Sequence, residues 1–214
     1  MDPDRIQLKT LLFAGVAIFM VEFLAILFGK TALDNIMLIG IARCAEIGLL
    51  LVIVYLFEPK RYQALGFQPS QIQQPLLRGL IWSIGFGLVV VVAALVLYIA
   101  GIDPIGLIST KLPRSAMALA TFFLVGGLIS PVAEELLFRG IIFGFLRRWG
   151  VWTAVIGSTV LFVLAHAPGR GVPLPQLVGG VLFAWAYEKE KHLLVPITIH
   201  VLGNLAIFTI SIVN

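Results

Sequence analysis

The sequence predicts an all-α membrane protein, a polytopic transmembrane helical bundle of about seven spans. Of its 214 residues, 60% are hydrophobic and only 12% are charged, whereas a soluble domain is about half apolar and about a quarter charged. The mean hydropathy is +1.05. Apolar runs recur along the whole length, most of them close to the roughly 20 residues that a crossing requires. No polar stretch is long enough for a soluble domain, so residues 1–214 read as a single membrane domain.

The first span, 8–28, follows a charged start of Asp2, Asp4, Arg5 and Lys9. Its apolar run from Leu11 to Phe28 is longer than a secretory signal core, carries Glu22, and is followed by no small-x-small cleavage pattern. It reads as an uncleaved span. Further spans are predicted at 37–57, 78–100, 116–146, 152–167, 174–188 and 193–213. The longest linker runs from Glu58 to Arg78, and its "QPSQIQQPLLRGL" reads as a short interfacial segment turning into the third span. The fourth is too long for a simple crossing and holds Pro131 in its middle. It predicts a kinked or tilted helix, or two helices in succession, so the count lies between six and eight. There is no internal repeat.

The net charge of +4 is no nucleic-acid signal, because the basic residues lie between apolar runs, where they set topology. With the N-terminus cytoplasmic, that side holds Arg5, Lys9, Lys60, Arg61, Arg78, Arg147, Arg148, Lys189 and Lys191; the other side holds Lys30, Lys111, Arg114 and Arg170. The positive-inside rule then predicts N-terminus in and, for seven spans, C-terminus out. The single cysteine, Cys44, excludes an internal disulfide and a cysteine-based metal cluster.

A charge near the bilayer centre costs at least about 2.5–3.5 kcal/mol, so intramembrane polar groups need a partner or a role. Those here are Glu22, Arg43, Glu46, Glu134, Glu135, Arg139, His166, His200 and Asn204. Glu135 and Arg139 are four apart and share a helix face, which predicts an ion pair. Glu134 is rotated about 100° from its neighbour and is left without that arginine, which makes it the candidate for chemistry. Arg43 and Glu46 are three apart, and with Glu22 they read as a structural cluster. His200 and Asn204 again project from one face. At a rise of ~1.5 Å per residue, Glu135, His166 and Asn204 lie ~20 Å, and His200 ~14 Å, from the same side of the membrane. Three separate helices thus bring polar groups to similar depth. His192, in "EKEKH", reads as a solvated loop residue.

Two carboxylates, two imidazoles and an amide suit hydrolysis by an activated water. Glu134 takes the water's proton, His166 holds or polarises the water, and His200 and Asn204 donate to the oxyanion. No serine or cysteine has a matching base, Ser130 included, which disfavours an acyl-enzyme. A competing version places a divalent metal such as zinc on Glu134, His166 and His200. The H-E-x-x-H signature is absent, and the sequence leaves both versions open.

"EELLFR" (Glu134, Glu135, Arg139), "FVLAH" (Phe162 to His166) and "HVLGN" (His200 to Asn204) resemble, in order, the E-E-x-x-x-R, F-x-x-x-H and H-x-x-x-N motifs of the CPBP family. That family comprises the CAAX prenyl endopeptidases of type II (Rce1-like) and the bacteriocin-processing or Abi membrane proteins. "LGF" at Leu65 to Phe67, followed by "LLRGL", resembles the approach to the family's third span. The resemblance implies an intramembrane endopeptidase with a catalytic core at about 116–213 and accessory spans at about 1–100. It implies water activation by Glu134 and His166, support from Glu135 and Arg139, and an oxyanion hole of His200 and Asn204. It also implies a membrane-associated peptide or protein substrate within a lipid bilayer, in a prokaryotic plasma membrane. A prenylated substrate is not carried over. The rival readings are a non-catalytic scaffold or bacteriocin-immunity protein of the same fold, and a transporter or proton relay, which the lack of repeat symmetry disfavours.

Overall fold

The computed structural model describes residues 6–29, 35–67, 72–166 and 173–213. Among them are seven helices and no strand: α1 (Leu8–Phe28), α2 (Asn35–Phe57), α3 (Gln73–Ile99), α4 (Ala116–Trp149), α5 (Val151–Ala165), α6 (Leu174–Glu190) and α7 (Leu194–Ile212). Five of these, α1 to α4 and α7, are long and apolar enough to cross a membrane, and the chain is an integral membrane protein. The 15 residues of α5 and 17 of α6 reach only ~22 and ~26 Å, short of the ~30 Å hydrocarbon core. The third helix begins at Gln73, five residues before the predicted 78, so the glutamines are its first turn. Arg5, Lys30 and Arg170 of the charge count lie outside the described residues.

The outward faces of α1 and α3 carry rows of exposed Leu, Ile, Val and Phe, as expected of surfaces whose solvent is lipid. The fold turns on α4, which touches α1, α2, α5, α6 and α7. It is one continuous helical rod rather than two helices, capped at its start by the Ser115 hydroxyl, which accepts from the Ala118 amide at 3.2 Å. Within it, α-helical stretches alternate with π-helical turns at Val125–Ile129 and Leu136–Phe143. Pro131 falls just after the first of these. There the Ser130 N–H donates five residues back, to the Val125 carbonyl, and the wider turn admits the proline without a break.

The ends of the helices are tied by charge. Arg147 grips Glu188 through Nε and Nη2 at 2.8 and 2.9 Å, joining α4 to α6. Glu190 accepts from Arg78 at 2.5 Å and from the Trp82 indole at 3.0 Å, joining α6 to α3. Glu58, just past α2, accepts from the Gln7 amide at 2.9 Å and from the Thr10 hydroxyl, covering the open start of α1.

His192 corrects the expectation of a solvated residue, for it is only 7% exposed. After the 3-10 turn Arg61–Leu65, Gly66 (φ +70°) brings the chain against the α6–α7 connection so closely that a Cβ there would lie 2.1 Å from the Lys191 carbonyl oxygen. The Phe67 ring then covers the imidazole at 5.9 Å between centroids. His192 Nδ1 accepts from the Leu194 amide at 3.2 Å, while Nε2 is buried without a protein partner. Burial lowers its pKa below the ordinary 6.5. The folded state holds this imidazole neutral, so below pH ~6.5 the unfolded chain binds the extra proton and stability falls with pH. The apparent unfolding temperature in detergent is expected to drop on acidification below that value. In His192→Asn, which keeps an acceptor for Leu194 but does not titrate, the drop should be smaller. An unchanged slope would remove His192 as its source.

Candidate active site

The six predicted site residues come from three helices. Between its two π turns α4 presents Glu134 and Glu135, with Arg139 inside the second. His166 sits at the C-terminal end of α5, and His200 and Asn204 lie one turn apart on α7.

The Glu135–Arg139 pair is the buried anchor. Both side chains are fully enclosed, with Arg139 Nη1 donating to Glu135 Oε1 at 2.9 Å. Its Nη2 donates to the Gly180 carbonyl of α6 at 3.1 Å. Glycine is needed there, because a Cβ would lie 2.8 Å from Thr159 Cγ2 of α5. The guanidinium lies 4.6 Å from the Phe162 ring centre and 5.2 Å from that of Phe183, and such cation–π contacts strengthen away from water. Glu135 Oε1 also accepts from His200 Nδ1 at 2.8 Å, and Phe183 stacks on that imidazole with centroids 4.6 Å apart. A chain of contacts therefore runs from the Gly180 carbonyl through Arg139 and Glu135 to His200.

Glu134 faces the other way, as its rotation from Glu135 requires. Its Oε2 lies 3.4 Å from His166 Nε2 and 3.7 Å from His200 Nε2. His166 Nδ1 donates to the Phe162 carbonyl at 2.8 Å. Because a carbonyl and a carboxylate only accept, both Nδ1 atoms carry their protons. Each neutral imidazole therefore turns a proton-free Nε2 toward Glu134. Three acceptors converge, and Glu134 Oε2 is buried without a hydrogen-bond donor from the protein.

Asn204 donates from Nδ2 to the Gly126 carbonyl of α4 at 2.9 Å, leaving its second N–H uncommitted by that bond. On α1 and α2, Arg43 bridges Glu22 at 2.5 Å and Glu46, as the spacing predicts. Arg43 is within electrostatic reach of both Glu134 and His166, so this cluster borders the site. Among the described residues, no group of three or more His, Cys, Asp or Glu side chains is arranged to hold a metal ion. Glu134, His166 and His200 thus do not form a ready metal site. Sequence reasoning missed Gly180, Gly126, Phe183 and the ring of Phe162. Only Phe162 carried a signal, as the first residue of "FVLAH".

The description of the family model that matches residues 116–206 is "Type II CAAX prenyl endopeptidase Rce1-like", and all six residues fall inside that stretch. The membrane-embedded CAAX protease MroQ of Staphylococcus aureus is 30% identical over 156 residues, covering 67% of this chain and 63% of MroQ. The UPF0177 protein YxdF of Lactococcus lactis is 37% identical over 79 residues, 37% of this chain and 44% of YxdF. The putative membrane peptidase YdiL of Bacillus subtilis is 33% identical over 88 residues, 41% of this chain and 36% of YdiL. The chain thus spans less than two thirds of the length of each of these relatives. No solved structure matches it. Over residues 116–206 the chain therefore belongs to the Rce1-like type II CAAX prenyl endopeptidase family.

Proposed function

We propose that the protein is an intramembrane endopeptidase that hydrolyses a peptide bond of a membrane-associated substrate with a water activated by Glu134 and His166. The observation that carries this reading is the convergence of two proton-free imidazole nitrogens on one buried Glu134 oxygen. A water brings the donors that such a group of acceptors needs. Glu134 accepts one proton as the water oxygen bonds to the scissile carbonyl carbon, and His166 orients the water through Nε2. The carbonyl oxygen becomes an oxyanion that takes hydrogen bonds from His200 and Asn204. For His200 to donate from Nε2 it must be protonated on both nitrogens, and the Glu135 carboxylate against Nδ1 compensates that charge. The proton on Glu134 then passes to the leaving nitrogen, the C–N bond breaks, and an acid and an amine depart.

In this reading 116–213 is the catalytic core and 1–100 the accessory part, which contributes Arg43 beside the site. The protein lies in a prokaryotic plasma membrane with its N-terminus cytoplasmic, in accord with the basic residues of the predicted cytoplasmic side.

The test is a cleavage assay on purified protein in liposomes, with prenylated and unprenylated membrane peptides, with and without a chelator. Wild type should cut and His166→Ala should be slower by about 10²-fold or more. Persistence of cutting with chelator supports a water activated by Glu134 alone. Loss with chelator and recovery with zinc transfers the role to a metal on Glu134, His166 and His200. Wild-type protein that cuts no peptide, with a His166→Ala variant that still complements a deletion strain, would replace the reading with a partner-binding scaffold.

A further inference from the structure

We infer that Pro131 is a positioning residue for Asn204: by lacking an N–H it leaves the Gly126 carbonyl free to hold the Asn204 side-chain amide. In an α-helix the Gly126 carbonyl would accept from the Ser130 amide, but in the π turn that amide goes to Val125. In a continued π turn the donor would be the amide of residue 131, and proline has none. Both helical donors are therefore withdrawn from one carbonyl inside the membrane, where an unpaired carbonyl is costly. Asn204 Nδ2 fills the gap at 2.9 Å.

The packing lets α7 come this close. A Cβ on Gly126 would lie 3.2 Å from the Phe208 ring, and one on Gly127 would lie 2.7 Å from Leu205 Cδ2. Because the Gly126 carbonyl only accepts, it fixes which end of the Asn204 amide faces α4. One N–H is spent on the carbonyl, and the rigid, planar amide then sets the direction of the second. His200, one turn before on α7, is oriented in the same way by Glu135. Each member of the H-x-x-x-N pair is thus aimed by a different part of α4.

The consequence for catalysis rests on the proposed oxyanion role of Asn204, whereas the aiming does not. Pro131→Ala restores an N–H beside the Gly126 carbonyl and gives the helix its own donor in place of Asn204. Alanine is also the better helix former, so thermal stability should hold or rise. The kcat should fall by about 10²-fold, the size of effect seen when an oxyanion donor is lost or displaced, with KM little changed. Lactic acid at position 131, introduced by nonsense suppression, has an ester oxygen in place of the N–H and should restore most of the kcat.

Aiming is read separately by labelling asparagine with 15N, of which the chain has only Asn35, Asn204 and Asn214. The Asn204 side-chain amide, assigned by its loss in Asn204→Asp, should show one slowly exchanging proton in wild type and in the ester variant, but not in Pro131→Ala. An unchanged amide signal in Pro131→Ala overturns the inference, as does an equal loss of that signal in the ester variant. If the amide responds as described while Asn204→Ala keeps full activity, the aiming stands and the oxyanion role proposed for Asn204 falls.

Discussion

Replacing Glu134 by glutamine is expected to lower peptidase activity by about three orders of magnitude while leaving the protein folded. General base catalysis typically contributes about 10²–10⁴-fold, and a glutamine side chain cannot take the water's proton. Its amide can still donate to the proton-free Nε2 of His166 or His200, which lie 3.4 and 3.7 Å from the wild-type carboxylate oxygen. The unfolding temperature should therefore hold or rise slightly. Turnover in liposomes and thermal unfolding in detergent, measured on the same preparation, check both halves. Activity within several-fold of wild type would rule Glu134 out as the base.

Arg139→Met should have the opposite profile, with loss of the fold before loss of chemistry can be read. Removing one partner of a fully buried ion pair leaves an uncompensated charge and costs about 3–5 kcal/mol. Glu135 would be that charge, sealed beneath Phe162 and Phe183 with only His200 beside it. Such a loss is a large part of a typical stability of about 5–15 kcal/mol. Adding Glu135→Gln should recover most of the unfolding temperature, because the stranded charge is gone. It should not recover activity, because His200 then lacks the carboxylate at Nδ1. Recovery of both would reduce the pair to a packing element.

The legible part of this protein is the part dictated by local spacing. Apolar runs gave the helices, with α1 matching at both ends. The four-residue interval gave the Glu135–Arg139 pair, and the offset of Glu134 followed from helical rotation alone. The similar depths of His166 and His200 were also readable, because rise per residue is nearly constant. What escaped depends on non-local packing. The carbonyls of Gly180 and Gly126 became functional partners only because another helix passes close to each. The π turns left no mark in composition, although Pro131 five residues after Gly126 was a usable signal. His192 misled because its neighbours Lys189, Glu190 and Lys191 suggest water. The Gly66–Phe67 segment that covers it lies more than a hundred residues earlier.

The alternation of turn widths in α4 also decides which kinds of sequence change this helix can absorb. Each π turn holds one residue more than an α turn would. Deleting a residue from Val125–Ile129 tightens that turn and rotates all that follows by about 100° relative to what precedes. Glu134 would leave the imidazoles, and Glu135 would move toward its place without its arginine facing the same side. Deleting one from Leu136–Phe143 would turn Arg139, or the chain just beyond it, away from α6. Many single residues here can be exchanged for others of similar size at modest loss. The number of residues between Leu124 and Gly144 is held far more tightly, since it sets the angle between the two halves of the site.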